Sequence, residues 1–263
     1  MLSLIQKKRQ RITSEWPWPE GAEQLTLTCT YRHDNVIEPP LVIISDDFMT
    51  LNTGAWMNTG VIEAGIEAYV WKNLTDRARE VTAFLEPTSL VPQIIYASSL
   101  PLDGSRHLVI APICSNNHFS FVAFFFRPDG GIALLIHIDS LSSRRGGHDA
   151  SDCLSDIWLA LGREPVQVIR VHGTPQQPNK IDCGAYMLIA ARKLIEEVTE
   201  AEDTIVEVIT EICGADRATR RSVIAGAHAA GKLTSSTFLT DSWFTHEDTI
   251  DVRRIIAKEI LNS

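Results

Sequence analysis

Three nearly continuous apolar runs, set one after another with short polar breaks, constrain this chain more than any other feature. His107 to Cys114 is rich in β-branched residues. Phe119 to Phe126 follows the polar Ser115-Asn116-Asn117, and Ile132 to Ile138 follows the turn-forming Arg127-Pro128-Asp129-Gly130-Gly131. Runs of this length between turn signals read as sequential strands joined by hairpins. Because polar residues hardly interrupt them, the strands should be mostly buried. Counting back from Asp129-Gly130, His118 lies roughly eleven residues along one strand and Asp139 roughly nine along the next. Antiparallel pairing then brings an imidazole and a carboxylate to the same end of the sheet. The pattern equally allows a His and an Asp that merely end two strands.

Elsewhere the periodicity turns helical. From Asn58 to about Lys72, Val61, Ile62, Ile66, Ala68, Tyr69 and Val70 recur at helical spacing, with Asn58 or Thr59 placed as the cap. Asp149 to Leu161 reads as a helix, Val166 to Val171 as a strand, Gly173 to Asp182 as a loop, and Cys183 to about Glu197 as a second apolar helix. Asp251 to Leu261 reads as a closing amphipathic helix. Trp16-Pro17-Trp18-Pro19 and Pro39-Pro40 break regular structure, so residues 1–40 are expected as a lead-in packed over the domain. Residues 41–263 are expected as one domain with a helical insertion at about 198–245. Residues 76–100 give no clear pattern.

Composition excludes several classes of function. A formal net charge of -9 over 263 residues argues against nucleic acid as the main partner, since phosphate contacts need surplus Lys and Arg. The five cysteines, at 29, 114, 153, 183 and 213, show no CxxC pairing. Neither a zinc ribbon nor a disulfide framework is indicated, and free thiols fit a reducing compartment. Near the N-terminus, charge follows the short apolar run instead of preceding it, the wrong order for a secretory signal. No stretch has the length of a membrane span. Lys7-Lys8-Arg9-Gln10-Arg11 reads as a solvated helix face rather than a nuclear address.

The chemistry centres on Cys183. It follows a loop holding Pro175, Pro178 and Asn179 and opens the apolar run Gly184-Ala185-Tyr186-Met187-Leu188-Ile189-Ala190-Ala191. A thiol at a helix N-terminus meets partial positive charge and unpaired N–H groups, which favour thiolate and can donate to an oxyanion. Gly184 is expected to let a substrate backbone approach. A cysteine so placed is also common as inert packing. Among the histidines, His118 is the candidate base, whereas His33, His148, His228 and His246 read as surface residues.

Four segments resemble one family. Pro175-Gln176-Gln177-Pro178-Asn179-Lys180-Ile181-Asp182-Cys183-Gly184 is similar to the nucleophile signature of SUMO-specific (Ulp or sentrin-type) proteases. Asn116-Asn117-His118-Phe119-Ser120 resembles their His-Trp motif, Ile138-Asp139-Ser140-Leu141 their strand-ending Asp-Ser, and Trp56-Met57-Asn58-Thr59-Gly60-Val61-Ile62 their Trp-Leu-Asn-Asp motif. The order and spacing of all four agree, over about residues 40–195.

The resemblance implies an α+β fold of the papain-like or adenain-like cysteine protease kind, with a central, mostly antiparallel sheet flanked by helices. It implies catalysis by Cys183, His118 and Asp139, with Gln177 at the oxyanion. Trp56 and Phe119, with Asn58 and Gly184, would line the substrate channel, where aromatic walls clamp a flat Gly-Gly tail. Phe119 departs from the family Trp and lacks its indole N–H; Thr59 stands where an acid is usual. The implied partner is a ubiquitin-like modifier and its conjugates: SUMO by default, ubiquitin or the neddylation modifier as alternatives. No metal or cofactor, nucleic acid or membrane is implied. A YopJ-type acetyltransferase is a rival, but its acid is usually Glu where this chain has Asp139. The implied compartment is cytoplasm or nucleus, or the host cytosol for a bacterial effector.

Overall fold

The computed structural model describes residues 16–31, 40–87, 107–127, 129, 131–141, 168–201, 204–216 and 218–263. The helix expected at Asp149–Leu161 and the basic cluster at residues 7–11 lie outside the described residues.

The three apolar runs form the strands read from the sequence, β4 (Leu108–Ser115), β5 (His118–Phe126) and β6 (Ile132–Ile138). Both ladders between them are antiparallel. Two short strands flank them, β3 (Thr82–Phe84) parallel to β4 and β7 (Val168–Arg170) parallel to β6. The sheet order is therefore β3-β4-β5-β6-β7. The long inner ladders are antiparallel as expected, and the short outer ones are parallel. Alternation splits the apolar side chains into two layers: Phe119, Phe121, Ala123 and Phe125 join the main core, and Val122, Phe124 and Phe126 a second cluster on the other face. Every residue of β5 is buried, which is why its run carries almost no polar residue.

The main core is built on three helices. Of these, α2 (Thr59–Gly65) starts where Asn58 Oδ1 accepts from the Val61 N–H at 3.0 Å. It passes into a π turn over Ile66–Val70 and a 3₁₀ turn over Trp71–Asn73. Helix α4 (Cys183–Ala201) is buried without a break from Cys183 to Ala191, matching its all-round apolar start. The closing helix α7 (Asp248–Leu261) begins three residues before the expected Asp251. The helices meet at Gly65, where an added Cβ would lie 2.5 Å from Leu188 Cδ1 and 2.9 Å from Ile256 Cδ1.

A smaller two-stranded sheet pairs β1 (Gln24–Leu27) with β2 (Leu41–Ile44), followed by the short α1 (Ser45–Met49); α3 (Asp76–Val81) precedes β3. The lead-in thus contains a regular strand, and Trp16 and Trp18 pack against the core, with the Trp18 ring 5.3 Å from that of Phe48. Helices α5 (Ile205–Gly214) and α6 (Arg220–Ala229) occupy the stretch expected as a helical insertion, and Phe238, Trp243 and Phe244 beyond them are buried in the core. Among the described residues no helix is long and apolar enough to cross a membrane.

Candidate active site

His118 owes its position to a tight turn. Asn116 and Asn117 both adopt positive φ, 50° and 58°. A two-residue hairpin that matches the strand twist needs this conformation, and asparagine tolerates it. Ser115 and His118 then pair directly across the hairpin, so β5 begins at His118, one residue earlier than the sequence suggests. Asp139 follows the last residue of β6. The side chains meet, with His118 Nε2 2.6 Å from Asp139 Oδ1 and both groups buried.

Cys183 completes the cluster. It is the first residue of α4, and its thiol acts on the His118 ring, raising the imidazole pKa. Burial alone pulls the imidazole pKa down. The hydrogen bond to Asp139 and the interaction with Cys183, with the charge on both, outweigh burial and hold His118 up at about 9. For Asp139, burial pushes upward, but His118, the Leu141 N–H at 2.8 Å and the nearby His137 keep the carboxyl below its ordinary range. Arg170, from β7, stands 3.6 Å from Asp139 Oδ2 and donates to the Leu141 carbonyl. Val166–Val171 reads as a strand, but nothing local marks Arg170 for the site, because β7 reaches β6 through a parallel pairing distant in the chain.

The loop before the nucleophile is tied to the strand end that carries Asp139. Gln177 donates its backbone N–H to Ser140 O at 3.0 Å, and Ser140 Oγ donates to Gln177 Oε1 at 2.5 Å. One amide N–H of Gln177 donates to Asn179 O at 2.8 Å. Gln176 Nε2 reaches Asp139 O at 3.3 Å. From the other side, the Arg220 guanidinium donates to the His172 carbonyl, so α6 braces the same loop.

The remaining expected site residues are placed differently from one another. Trp56 is 40% exposed, and its indole N–H donates to Lys180 O at 2.8 Å, beside the nucleophile loop. Phe119 is 4% exposed and belongs to the core. In a strand starting at His118, residue 119 points to the opposite face, so Phe119 is not an exposed wall in this structure. Asn58 caps α2 and donates to Asp47. Gly184 faces neither channel nor solvent: an added Cβ would lie 2.5 Å from Ile62 Cδ1 and 3.4 Å from Met57 Cβ. The expected substrate approach at Gly184 is thus replaced by a close approach of α2. His246 is no idle surface residue either, with Nε2 3.8 Å from Asp182 Oδ2 and Nδ1 3.4 Å from the Tyr186 hydroxyl.

The helix contact at Gly184 gives a stability prediction. Gly184→Ala should destabilise the fold by about 1–3 kcal/mol through overpacking, read from urea denaturation. Ile62→Val removes the opposing methyl and should recover part of that loss in the double variant. Unchanged stability of the single variant would mean that α2 can shift freely.

A buried thiol, imidazole and carboxylate in series, with the thiol at a helix N-terminus, define a cysteine peptidase. Residues 106–222, which include His118, Asp139, Gln177 and Cys183, match the Ulp1 protease family, C-terminal catalytic domain, in keeping with a cysteine peptidase. Among solved structures, a de-sumoylating protease shares 17% identity at a TM-score of 0.53, over 91% of this chain and 92% of that one. The Xanthomonas campestris effector protein XopD bound to ubiquitin gives 16% identity and a TM-score of 0.48, over 79% and 92%. The C-terminal Ulp1 protease domain in complex with Smt3, the yeast ortholog of SUMO, gives 19% and 0.46, over 92% and 90%. No curated protein sequence matches the chain.

Proposed function

We propose that this protein is an isopeptidase that cleaves after the C-terminal Gly-Gly of a ubiquitin-like modifier, SUMO in the first instance. Cys183 is the nucleophile, His118 the base and Asp139 its orienting acid. The observation that carries the reading is the 2.6 Å contact from His118 Nε2 to Asp139 Oδ1, in a ring whose pKa the Cys183 thiol also raises. An ionised Asp139 accepts from Nε2–H, which leaves Nδ1 as the nitrogen that exchanges a proton with the thiol. The family match supports the class of reaction, and the resemblance of the Pro175–Gly184 signature supports SUMO. The same reading takes residues 41–263 as one peptidase domain that includes the helical segment at 198–245.

The reaction runs in two halves. Cys183 gives its proton to His118, and the sulfur attacks the carbonyl of the terminal glycine in a Gly-Gly-Lys isopeptide or Gly-Gly-X peptide. The Cys183 backbone N–H and the second amide N–H of Gln177 donate to the oxyanion. His118 protonates the leaving amine as the C–N bond breaks, leaving a thioester. Water, deprotonated by His118, then attacks the thioester; the acid is released and the thiol regains its proton. Exposed Trp56, beside the nucleophile loop, lines the path of the glycine tail.

The test exposes the protein to propargylamide-ended SUMO, ubiquitin and neddylation modifier. A covalent product with the SUMO probe is expected. Product with only another modifier would replace SUMO and keep the chemistry. No product from folded protein with any probe would overturn the isopeptidase reading.

A further inference from the structure

Arg253 lies on α7, 70 residues beyond the nucleophile, yet its side chain is 2% exposed and ends beside the site. Nη1 donates to Thr50 O at 3.0 Å and Asn52 O at 3.4 Å. Nη2 donates to Ala55 O at 2.9 Å and to Asp182 Oδ1 at 2.7 Å. The three carbonyls belong to the turn that leads into Trp56. The carboxylate belongs to the residue just before Cys183. Asp182 is fixed in turn: Asn179 Nδ2 donates to its Oδ2 at 2.6 Å, and Asn179 Oδ1 accepts from the N–H groups of Ile181 and Asp182 at 3.0 and 3.1 Å. A second rung runs parallel to the first, where the Trp56 indole donates to Lys180 O at 2.8 Å.

A guanidinium cannot shed its proton, so burying one is costly unless nearly every N–H finds an acceptor. Packing α7 against the core would be served as well by an apolar residue at this position. What an apolar residue cannot do is hold two turns from distant parts of the chain at a fixed separation. A planar fork with charge-assisted bonds can do this.

We infer that Arg253 is a positioning residue: it clasps the turn presenting Trp56 to the turn presenting Cys183, and so sets the spacing between the aromatic wall and the thiol. The inference rests on the proposed function for its effect on substrate. The clasp itself does not depend on which substrate is used. Its consequence is selective. A long substrate threaded past Trp56 needs the spacing, whereas a small electrophile needs only Cys183 and His118, which Arg253 does not touch.

Two variants of the full chain test this. Arg253→Lys keeps the charge and loses the fork. Asp182→Asn keeps the shape and loses the ion pair, and it serves if the first fails to fold. Each should lower kcat/KM on a modifier-based substrate by about 10- to 100-fold, the scale of a misplacement near 1 Å. Alkylation of Cys183 by iodoacetamide should stay within about threefold of wild type. Hydrogen–deuterium exchange should quicken in residues 50–57 and 179–182 together. Equal losses in cleavage and alkylation would overturn the clasp, as would exchange that quickens in α7 alone. If wild type cleaves no modifier, the proposed function falls, and exchange in the two turns then decides the clasp by itself.

Discussion

Cys183→Ala should abolish covalent capture by every propargylamide probe and lower turnover of a modifier-based substrate by at least about 10⁴-fold, the scale seen when a covalent nucleophile is removed from a working triad. Cys114 and Cys213 are poorly suited to substitute. Burial pushes the Cys114 thiol up, and pushes Cys213 up to about 11. Neither is ionised enough near neutral pH to replace a thiolate held against an imidazolium. The fold should tolerate the change, because alanine is smaller and the neighbouring contacts of α4, with Ile62 and Met57 over Gly184, do not involve the sulfur. Thermal unfolding of the variant run beside the probe assay separates loss of chemistry from loss of structure. Capture that persists in the folded variant would move the nucleophile to another residue.

The sheet and the cluster were legible in the sequence for the same physical reason. Strands buried on both faces must be apolar at nearly every position, so β4, β5 and β6 stand out as runs, and a break of two asparagines leaves little choice of register. The β5–β6 ladder, with Phe121 opposite Ile138, then brings Asp139 to His118. The cap at Asn58 and the apolar start of α4 were equally local signals. What the sequence hid depends on partners far along the chain. Strand β3 has three residues and exists through parallel pairing with β4, and although Val166–Val171 reads as a strand, the parallel pairing of β7 with β6 has no local signal. The four residues of β1 are stabilised by pairing with β2. Gly184 reads as an opening beside the nucleophile, and only the placement of Ile62 reveals it as a helix contact. Phe119 could have been read more closely, since a strand that points His118 one way points its neighbour the other. Arg253 also left a trace: with Ile256, Ala257 and Ile260 it falls on the buried stripe of an amphipathic helix, where a lone charge calls for a partner.

The second large effect concerns the proton on His118. The folded protein holds this imidazole up at about 9, against 6.5 for the ordinary group. Its contribution to stability is therefore fully present below pH 6.5 and is lost as the pH rises through about 9, because the unfolded chain releases the proton first. Asp139 acts in the opposite sense. Its carboxyl is held below 3.8, so its contribution is present above that value and fades as the pH falls through the folded-state pKa. The pair should stabilise most between about pH 4 and 6.5. Urea denaturation of wild type against Asp139→Asn should show a gap that is largest there and narrows toward pH 9. In the variant, burial dominates the imidazole once the carboxylate is gone, so the slope between 6.5 and 9 should flatten. Activity should fall by about 10²- to 10⁴-fold, because an amide can turn its NH₂ toward Nε2 and fix the ring in the tautomer that has no acceptor left for the thiol proton. A gap that stays constant from pH 5 to 9 would show that the Asp139 charge does not hold the imidazolium. Cys183→Ala should narrow the same pH dependence in part, since the thiol is the other partner that raises His118. The two substitutions thus act on one proton shared along the line from carboxylate to sulfur.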